Sequence, residues 1–235
     1  MNILVTGGSS GLGRSIVETF SSQLHSSQVY FTYHRSADAA KSMEATSSQV
    51  HALHCDFASD ESMSKLERII EEKNIQVLVN NALPSYTKNY FHKESDEAFV
   101  KSFELNVLPV IRITRAFIQK ARKEKFGKII TILSATIDQP SIGSAVYTAE
   151  KMYLQGLSRT WAKENINFNI SSNSVSPGFM KTRLHADLDE RLIEDMEKKH
   201  PLKKLLTTDE VAKLVCFLAS SSQQINGQNF RIGLD

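Results

Sequence analysis

A glycine-rich segment near the amino terminus is the feature that most restricts the fold. A short apolar run at residues 3–5 leads directly into Thr6-Gly-Gly-Ser-Ser-Gly-Leu-Gly13, and Ile16, Val17 and Phe20 then recur at helical spacing. Strand, glycine turn and helix in this order are typical of dinucleotide sites, because glycines let the backbone approach a pyrophosphate at the helix N-terminus. The predicted cofactor contacts in this unit are Thr6, Gly7, Ser9, Ser10, Gly11, Leu12 and Gly13.

Strand-like and helix-like segments alternate along the rest of the chain. Strands are predicted at 28–33, 50–55, 76–79, 128–133, 168–175 and 228–232, and helices at 60–73, 94–122, 145–165, 181–199 and 208–220. Pro109 is expected to kink or break the second of these helices, and 181–199 is a candidate lid over the cleft. The alternation predicts a single domain over residues 1–235, an α/β Rossmann-type doubly wound parallel sheet of about seven strands with helices on both faces.

The composition excludes several classes of function. The 235 residues are 41% hydrophobic and 23% charged with a net charge of +2, which predicts a soluble protein without a nucleic-acid or membrane partner. No apolar run approaches the ~18 residues that span a bilayer, and no secretory leader precedes the first strand, so a cytoplasmic location is expected. Cys55 and Cys216 have no metal-ligand spacing and are interpreted as free thiols, so no metal is predicted.

The segment Tyr147-Thr-Ala-Glu-Lys151 carries the most reactive pair. Residues four apart share one helical face, so the phenol and the ammonium point into one cleft, where the positive charge favours the ionised phenol. We expect this to bring the phenol pKa from ~10 toward neutrality, as general acid–base catalysis requires. Ser134 follows the strand at 128–133 and places a hydroxyl at the carboxyl edge of the sheet, where α/β proteins build their sites. A solvated tyrosine beside a surface lysine is the alternative.

The end of the second strand predicts the cofactor type. An acidic residue there binds a free ribose 2′-hydroxyl, whereas an arginine accommodates a 2′-phosphate. The strand at 28–33 is followed by His34-Arg35-Ser36, without an acid. Arg35 and Ser36 are therefore predicted cofactor contacts that favour NADP(H) over NAD(H). The alternative is that Arg35 is merely a surface residue.

Together these motifs resemble the short-chain dehydrogenase/reductase family over essentially the full chain. Within the family, the chain is most similar to the 3-oxoacyl-[acyl-carrier-protein] reductases. The matching positions are Thr6-Gly-x-x-x-Gly-x-Gly13, Asp56, Asn80-Asn-Ala82, Asn106, Ser134, Tyr147-x-x-x-Lys151 and Pro177-Gly178 with Thr182.

The resemblance implies a catalytic role for four side chains. Tyr147 would donate a proton to the substrate carbonyl, and Ser134 would hydrogen-bond the carbonyl oxygen as negative charge develops on it. Lys151 would bind the nicotinamide ribose and lower the pKa of Tyr147. Asn106 would hold a water that links Lys151 to solvent. Further implied cofactor contacts are Asp56 and Phe57 at the adenine, Asn80 and Ala82 on the adenosine side, and Pro177, Gly178 and Thr182 at the nicotinamide end.

Three departures from the family pattern bear on the site and the partners. Leu83 replaces the glycine that usually follows Asn80-Asn-Ala82, which affects the adenosine contacts. The paired glycines usual near the C-terminus are replaced by Ile232-Gly-Leu-Asp235, which bears on tetramer packing. Two basic residues help to dock an acidic carrier protein in relatives; Lys125 matches one of them, while Phe168 occupies the other position.

Three functions follow, in order of preference. The first is an NADPH-dependent carbonyl reductase acting on a small-molecule or carrier-bound 3-oxoacyl thioester. The second is a reductase or dehydrogenase of a sugar or another small secondary alcohol. The third is a dinucleotide-binding regulatory protein without catalysis. The resemblance also implies a homotetramer or homodimer, formed through the helices that carry Asn106 and Tyr147.

Overall fold

A computed structural model describes residues 1–84, 86, 88–182 and 189–233. The strands are β1 (Asn2–Val5), β2 (Gln28–Tyr33), β3 (Val50–His54), β4 (Val77–Asn80), β5 (Gly127–Ile132), β6 (Ile170–Pro177) and β7 (Asn229–Ile232). The helices are α1 (Gly11–Gln23), α2 (Ala37–Glu44), α3 (Asp60–Glu72), α4 (Asp96–Asn106), α5 (Leu108–Glu124), α6 (Ala145–Asn165), α7 (Glu190–Lys199) and α8 (Thr208–Ser220). Short 3₁₀ turns occur at Phe91–Lys93, Ala135–Ile137 and Ile166–Phe168.

The seven strands form one parallel sheet in the order β3-β2-β1-β4-β5-β6-β7. This confirms the predicted Rossmann-type fold. The chain runs outward from β1 to β3 and then returns to the centre to add β4 on the other side of β1. The order of the strands therefore reverses between β1 and β4, and such sheets bind ligands in a crevice at the carboxyl ends of the two strands where this reversal occurs.

Helices cover both faces of the sheet and bury its apolar side chains. On one face, α1 and α8 pack together over the central strands, with Ile16, Phe20 and Val215 fully buried. On the other face, α3 and α5 enclose Leu66, Ile113 and other apolar side chains. A smaller cluster joins α5 and α6 and includes Val110, Leu133 and Leu154. Burial on both faces explains why the central strands read as continuous apolar runs.

The predicted helix at 94–122 is two helices that meet at Val107. α4 ends at Asn106, and Pro109 lies in the first turn of α5. A proline fits that position because the first-turn N–H groups have no partner within the helix. The break confirms the expected effect of Pro109, and it leaves Asn106 at a helix end beside the cleft.

Other differences from the sequence-based prediction are local. α2 was not predicted. β6 begins at Ile170 rather than at residue 168, because Ile166–Phe168 form a 3₁₀ turn and Asn169 adopts a left-handed φ of 57°. Of the candidate lid at 181–199, α7 is helical with Ile193 buried, whereas 183–188 lie outside the described residues, as do Leu234 and Asp235. Within the described ranges, every helix is too short or too polar to traverse a lipid bilayer.

Candidate active site

Tyr147 and Lys151 lie one helical turn apart near the start of α6, where they face the end of β5. Lys151 is buried, with 6% of its surface exposed, and its Nζ donates a hydrogen bond to the backbone oxygen of Ile132 at 2.9 Å. The same Nζ lies 5.6 Å from the centroid of the Tyr147 ring. Burial lowers the pKa of Lys151 to about 8, although the carboxylate of Glu150 opposes this shift.

Ser134 is the third member of this group. It lies two residues after the end of β5 and precedes the 3₁₀ turn at Ala135–Ile137, where its Oγ accepts a hydrogen bond from the N–H of Thr136 at 3.3 Å. Its side chain also hydrogen-bonds the phenol of Tyr147, an interaction that lowers the phenol pKa. The predicted convergence of Ser134, Tyr147 and Lys151 is therefore present in the structure.

The expected tuning of Tyr147 by Lys151 is wrong for the protein without bound cofactor. Burial, together with Tyr86 and Glu150, raises the pKa of Tyr147 to about 12 and outweighs the opposite effect of Ser134. Lys151 does not bring the phenol toward neutrality, because its ammonium is directed at the oxygen of Ile132. At neutral pH the phenol thus keeps its proton, which is the form that a proton donor needs.

Tyr86 covers one side of the reactive phenol. Its ring meets the ring of Tyr147 edge-on, with the centroids 5.1 Å apart and the planes at 89°. Edge-to-face packing of this kind is a favourable arrangement of two aromatic rings. Tyr86 follows β4 in the chain, and its ring forms part of the wall of the cleft beside Tyr147.

Asn106 lies at the end of α4 and faces α6. Its side chain is 4% exposed, and its Nδ2 donates to Ser102 Oγ at 3.1 Å and to both carboxylate oxygens of Glu150 at 3.3 and 3.2 Å. Asn106 is therefore joined to the helix of Tyr147 and Lys151 through Glu150. The water that the resemblance assigns to Asn106 stays a prediction.

The glycine turn after β1 is shaped for close backbone contact. Gly7 and Gly11 adopt left-handed φ values of 67° and 53°. A methyl group on Gly13 would lie 2.1 Å from the oxygen of Gly7 and 2.6 Å from Nδ2 of Asn81. No other residue fits there without displacing the turn, so α1 begins directly against the loop, as in a pyrophosphate cradle.

Thr6 and Asn81 tie this turn to the end of β4. Thr6 Oγ1 accepts hydrogen bonds from the N–H groups of Asn81 and Ala82 at 2.9 and 3.0 Å. The Nδ2 of Asn81 donates to the backbone oxygens of Thr6 and Gly7 at 2.9 and 3.2 Å. The two loops that border the crevice are thus held together before any cofactor binds.

The N-terminus of α1 can receive the phosphates of a cofactor. Ser10 is the capping residue, and within the part of the chain that the structure describes its side chain makes no capping hydrogen bond. The N–H groups of the first turn, Gly11 to Gly13, have no helical partners and carry the positive end of the helix dipole. The side chains of Ser9 and Leu12 are largely buried, so these two residues can contact a cofactor only through their backbone groups.

Thr182, Pro177 and Gly178 are the residues predicted for the nicotinamide end of the site. A methyl group on Gly11 would lie 3.9 Å from Cβ of Thr182, so this threonine is near the glycine turn. Pro177 is the buried last residue of β6, and the N–H of Gly178 donates to the oxygen of Ile232 at 2.8 Å. Thr182 therefore lies beside the glycine turn, while the cofactor contacts of Pro177 and Gly178 stay predictions.

The residues predicted for the adenosine end are polar groups at the ends of β2 and β3. Arg35 is exposed, and Ser36 begins α2 without a capping hydrogen bond from its side chain to any described residue. His34 Nε2 lies 3.8 Å from Oδ2 of Asp56, whose Oδ1 accepts from the N–H of Ala58 at 2.9 Å. Phe57 packs its ring partly against the core under α3 and α5.

Asn80 and Ala82 differ in what they present to a cofactor. Asn80 is buried, and its Nδ2 donates to Thr114 Oγ1 at 3.0 Å, while its Oδ1 has no hydrogen-bond partner among the described residues. Its side chain thus points toward α5 rather than into the crevice. Ala82 lies against Gly7, where a methyl group on the glycine would come within 2.9 Å of its Cα. Leu83, which follows, is half-buried.

The sequence-based prediction missed three residues of this region. Asn81 lies within a recognised motif, but its role depends on a contact across 75 positions. Glu150 had a usable signal, because it is an acid on the turn between Tyr147 and Lys151 and a helical projection places it close to them. Tyr86 lies in an irregular loop, and nothing in the sequence pattern indicates its contact with Tyr147.

Comparison with known proteins finds similarity along nearly the whole chain. The family model described as enoyl-(acyl carrier protein) reductase matches residues 7–233. The 3-oxoacyl-[acyl-carrier-protein] reductase FabG of Escherichia coli is 32% identical over 233 residues, which cover 97% of this chain and 94% of the relative. The 3-oxoacyl-[acyl-carrier-protein] reductase MabA of Mycobacterium tuberculosis is 29% identical over 221 residues, which cover 93% and 85%.

Solved structures agree with this similarity. A short-chain dehydrogenase/reductase family protein superimposes with a TM-score of 0.86 at 26% identity, covering 99% of this chain and 95% of the other. A mutant short-chain dehydrogenase/reductase of Serratia marcescens gives a TM-score of 0.85 at 26% identity, with coverage of 98% and 95%. The fold and the sequence thus resemble the same group of proteins over their full length.

Proposed function

Because the chain belongs to the short-chain dehydrogenase/reductase family, we propose that it is an NADPH-dependent reductase that converts a 3-oxoacyl thioester to the 3-hydroxyacyl form. The family makes it an oxidoreductase that acts on CH–OH/C=O groups with a nicotinamide dinucleotide. The choice of NADPH, the substrate and the residue roles are the proposed part. They are supported by the site geometry and by relatives named 3-oxoacyl-[acyl-carrier-protein] reductase.

The convergence of Ser134, Tyr147 and Lys151 is the observation that carries the proposal. When bound, the cofactor supplies the hydride for the carbonyl carbon. Tyr147 holds the proton that the carbonyl oxygen needs. Although the pKa of Tyr147 is about 12, an alkoxide is a stronger base than a phenolate, so the transfer is favourable. In this proposal Ser134 donates a hydrogen bond to the same oxygen as charge develops on it.

Lys151 stabilises the Tyr147 phenolate that remains after the proton has been transferred. Its ammonium lies 5.6 Å from the Tyr147 ring and sits in a buried position. In its present position, where it donates to the oxygen of Ile132, this ammonium does not lower the phenol pKa, so it stabilises the phenolate only after turning from Ile132 toward the phenolic oxygen. Lys151 must carry its proton for this effect, and its lowered pKa places the loss of that proton at about 8. The reductive reaction is therefore expected to slow above that pH.

Arg35 and Ser36 support NADPH as the cofactor. The arginine is exposed just beyond the carboxyl end of β2, and Ser36 follows it as the residue at the N-terminus of α2. A guanidinium and a helix N-terminus both favour a phosphate. Asp56, which lies toward His34, is the acidic group on this side and fits the adenine contact that the resemblance implies.

A basic surface at the end of α5 supports a carrier-bound substrate. Lys125 is exposed at the C-terminus of α5, and the guanidinium of Arg122 lies 4.5 Å from the ring centroid of Phe168. Arg122 thus supplies a positive charge where Phe168 replaces the basic residue of relatives. We expect Arg122→Ala to raise the KM for a carrier-bound substrate and to leave the KM for a small free thioester unchanged.

The helices beside the site also offer a surface for self-association. Val100 of α4 and Met152 and Tyr153 of α6 are each about half exposed, with 57%, 47% and 47% of their surfaces accessible. Exposed apolar side chains on neighbouring helices are typical of protein interfaces. We propose a homodimer or homotetramer built on this face. Its mass is measurable by analytical ultracentrifugation, and a monomer at micromolar concentration would contradict it.

The deciding experiment follows NADPH absorbance with a short 3-oxoacyl thioester. Tyr147→Phe should lower kcat by about 10²–10⁴-fold, because it removes the proton donor, and should leave the Kd for NADPH nearly unchanged. Tyr153→Phe is the matched control, since it removes an exposed hydroxyl from the same helix and keeps the ring. Retention of most activity by Tyr147→Phe would assign the acid to another group.

The same assay distinguishes the other two functions. If NADPH binds but the thioester is not reduced, the substrate assignment fails, and sugars and other small carbonyl compounds are the next candidates. If no carbonyl compound is reduced, the chain is a dinucleotide-binding protein without catalysis. The convergence of Ser134, Tyr147 and Lys151 disfavours the last outcome.

A further inference from the structure

Glu150 is a buried acid that the catalytic scheme does not use. Only 6% of its surface is exposed, and it lies between the two reactive residues of α6 and the end of α4. A carboxylate in such a place loses the solvation of bulk water and must be compensated by hydrogen bonds or opposite charge. An apolar side chain would join two helices at a smaller cost.

Hydrogen bonds from α4 compensate for the lost solvation of the Glu150 carboxylate. Both carboxylate oxygens of Glu150 accept from Nδ2 of Asn106, at 3.3 and 3.2 Å, and the Ser102 side chain is a further hydrogen-bond partner. An ionised carboxylate only accepts hydrogen bonds, so it selects the N–H edge of the amide. The oxygen edge of Asn106 must then face away from Glu150. The acid thereby decides which edge of Asn106 is turned toward the rest of the site.

The positive charge of the neighbouring Lys151 also compensates for the lost solvation of Glu150. Lys151 is fully within the protein, and Glu150 is the acid whose charge favours its protonated form. Among the residues that the structure describes, the titratable groups that interact electrostatically with Glu150 are Lys151 and, with the opposite sign, Tyr147. Tyr86 acts on Tyr147 from the loop after β4, while α4 presents the uncharged Ser102 and Asn106.

We propose that Glu150 is a positioning residue of the catalytic site, which orients the amide of Asn106 and holds a negative charge next to Lys151 on α6. This rests on the proposed reductase function for its kinetic consequence. Glu150 does not touch the reacting atoms. It acts through Asn106 and Lys151, so its removal should change the pH range of the reaction as well as the rate.

The first test is the pH profile of Glu150→Gln in the reductive direction. Without the negative charge, Lys151 loses its proton at lower pH, and the alkaline decline should move down by on the order of one pH unit. Glu164→Gln is the matched control, because it makes the same change at an exposed position of α6. An alkaline decline of Glu150→Gln that coincides with the wild type would overturn the proposal.

A second measurement does not depend on turnover. The Lys151 signal of protein labelled with 13C-lysine, assigned with Lys151→Met, reports the Lys151 pKa in the absence of substrate. Glu150→Gln should lower that pKa, whereas Glu150→Asp should keep more of the charge effect and lose the reach to Asn106. If the protein reduces no carbonyl compound, this titration still decides whether Glu150 supports Lys151. An unchanged Lys151 pKa in Glu150→Gln would reject that role.

The role through Asn106 has its own test. If Glu150 acts by orienting Asn106, the double variant Asn106→Ala/Glu150→Gln should lose little more kcat than Asn106→Ala alone. Fully multiplicative losses in kcat would show that the two side chains act independently, and the orienting role would then fall.

Discussion

Lys151 donates its Nζ hydrogen bond to the backbone oxygen of Ile132, at 2.9 Å, and thereby points at the end of β5 rather than at the phenol of Tyr147. In this position the ammonium is removed from water, and its pKa falls to about 8. The burial of this charge keeps the ammonium beside Tyr147 but lowers the free energy of unfolding of the protein at neutral pH.

At neutral pH, Lys151→Met should be nearly as stable as the wild type or more stable, because the variant buries no charge. As the pH rises, its free energy of unfolding should fall relative to that of the wild type. The folded wild type releases the Lys151 proton near pH 8 and the unfolded chain near pH 10.5, so the wild type gains stability across that range, on the order of 3 kcal/mol. The variant lacks this gain. Urea unfolding at pH 7 and pH 10 measures the difference, and Lys163→Met, an exposed change on α6, should show none.

Gly13→Ala should abolish cofactor binding and destabilise the fold by about 1–3 kcal/mol. The added methyl group would lie 2.1 Å from the oxygen of Gly7, which Asn81 holds in place. Gly156→Ala is the matched control on α6, where no atom lies within 4 Å of the added methyl group, and it should stabilise by about 0.5–1 kcal/mol. Thermal melts and NADPH fluorescence titrations measure both effects. Normal NADPH affinity in Gly13→Ala would contradict the phosphate cradle.

Arg35→Ala should weaken NADPH binding by about 10–100-fold and leave NADH binding unchanged. A charge-assisted hydrogen bond to a phosphate contributes roughly 1.5–3 kcal/mol, and NADH lacks the 2′-phosphate. Lys41→Ala removes an exposed cation from α2 nearby and serves as the control. Equal affinities of the wild-type protein for the two cofactors would remove the role of Arg35.

Tyr86→Ala should raise the KM for the carbonyl substrate several-fold with little effect on the Kd for NADPH. The Tyr86 ring packs edge-on against Tyr147 and forms a wall of the cleft, and its loss removes an aromatic contact worth about 0.5–1.5 kcal/mol. Tyr86→Phe keeps the ring and should behave like the wild type in steady-state kinetics. An unchanged KM in Tyr86→Ala would place the substrate on another side of Tyr147.

The fold and the grouping of the site residues can be predicted from the regular spacing of residues in the sequence. The alternation of apolar runs and amphipathic segments yields the sheet, and the bounds of β2, α6 and α8 follow from the pattern because clear signals flank them. The constellation of Ser134, Tyr147 and Lys151 is predictable because a strand end and a helical turn bring the three together.

The electrostatics of the site are not predictable in the same way. Spacing places Lys151 beside Tyr147, but the direction of its ammonium depends on the backbone oxygen of Ile132, and the pKa of Tyr147 depends on burial. Likewise, the sequence does not reveal that Asn106 meets Glu150, because that contact requires the packing of α4 on α6. Distances across elements, rather than motifs, decide these properties.

The hydrogen bonds between Asn81 and the turn that begins at Thr6 also determine at which stage of folding the site can form. They join residues 75 positions apart, across the β1–β4 pair. A contact of such sequence separation forms only after the intervening loop closes, which is slow compared with local helix formation. A nascent chain that has emerged only as far as β3 carries the whole glycine motif but no second loop to fix it. We therefore expect the two loops to be joined only after β4 has paired with β1, and the cofactor to bind after that step.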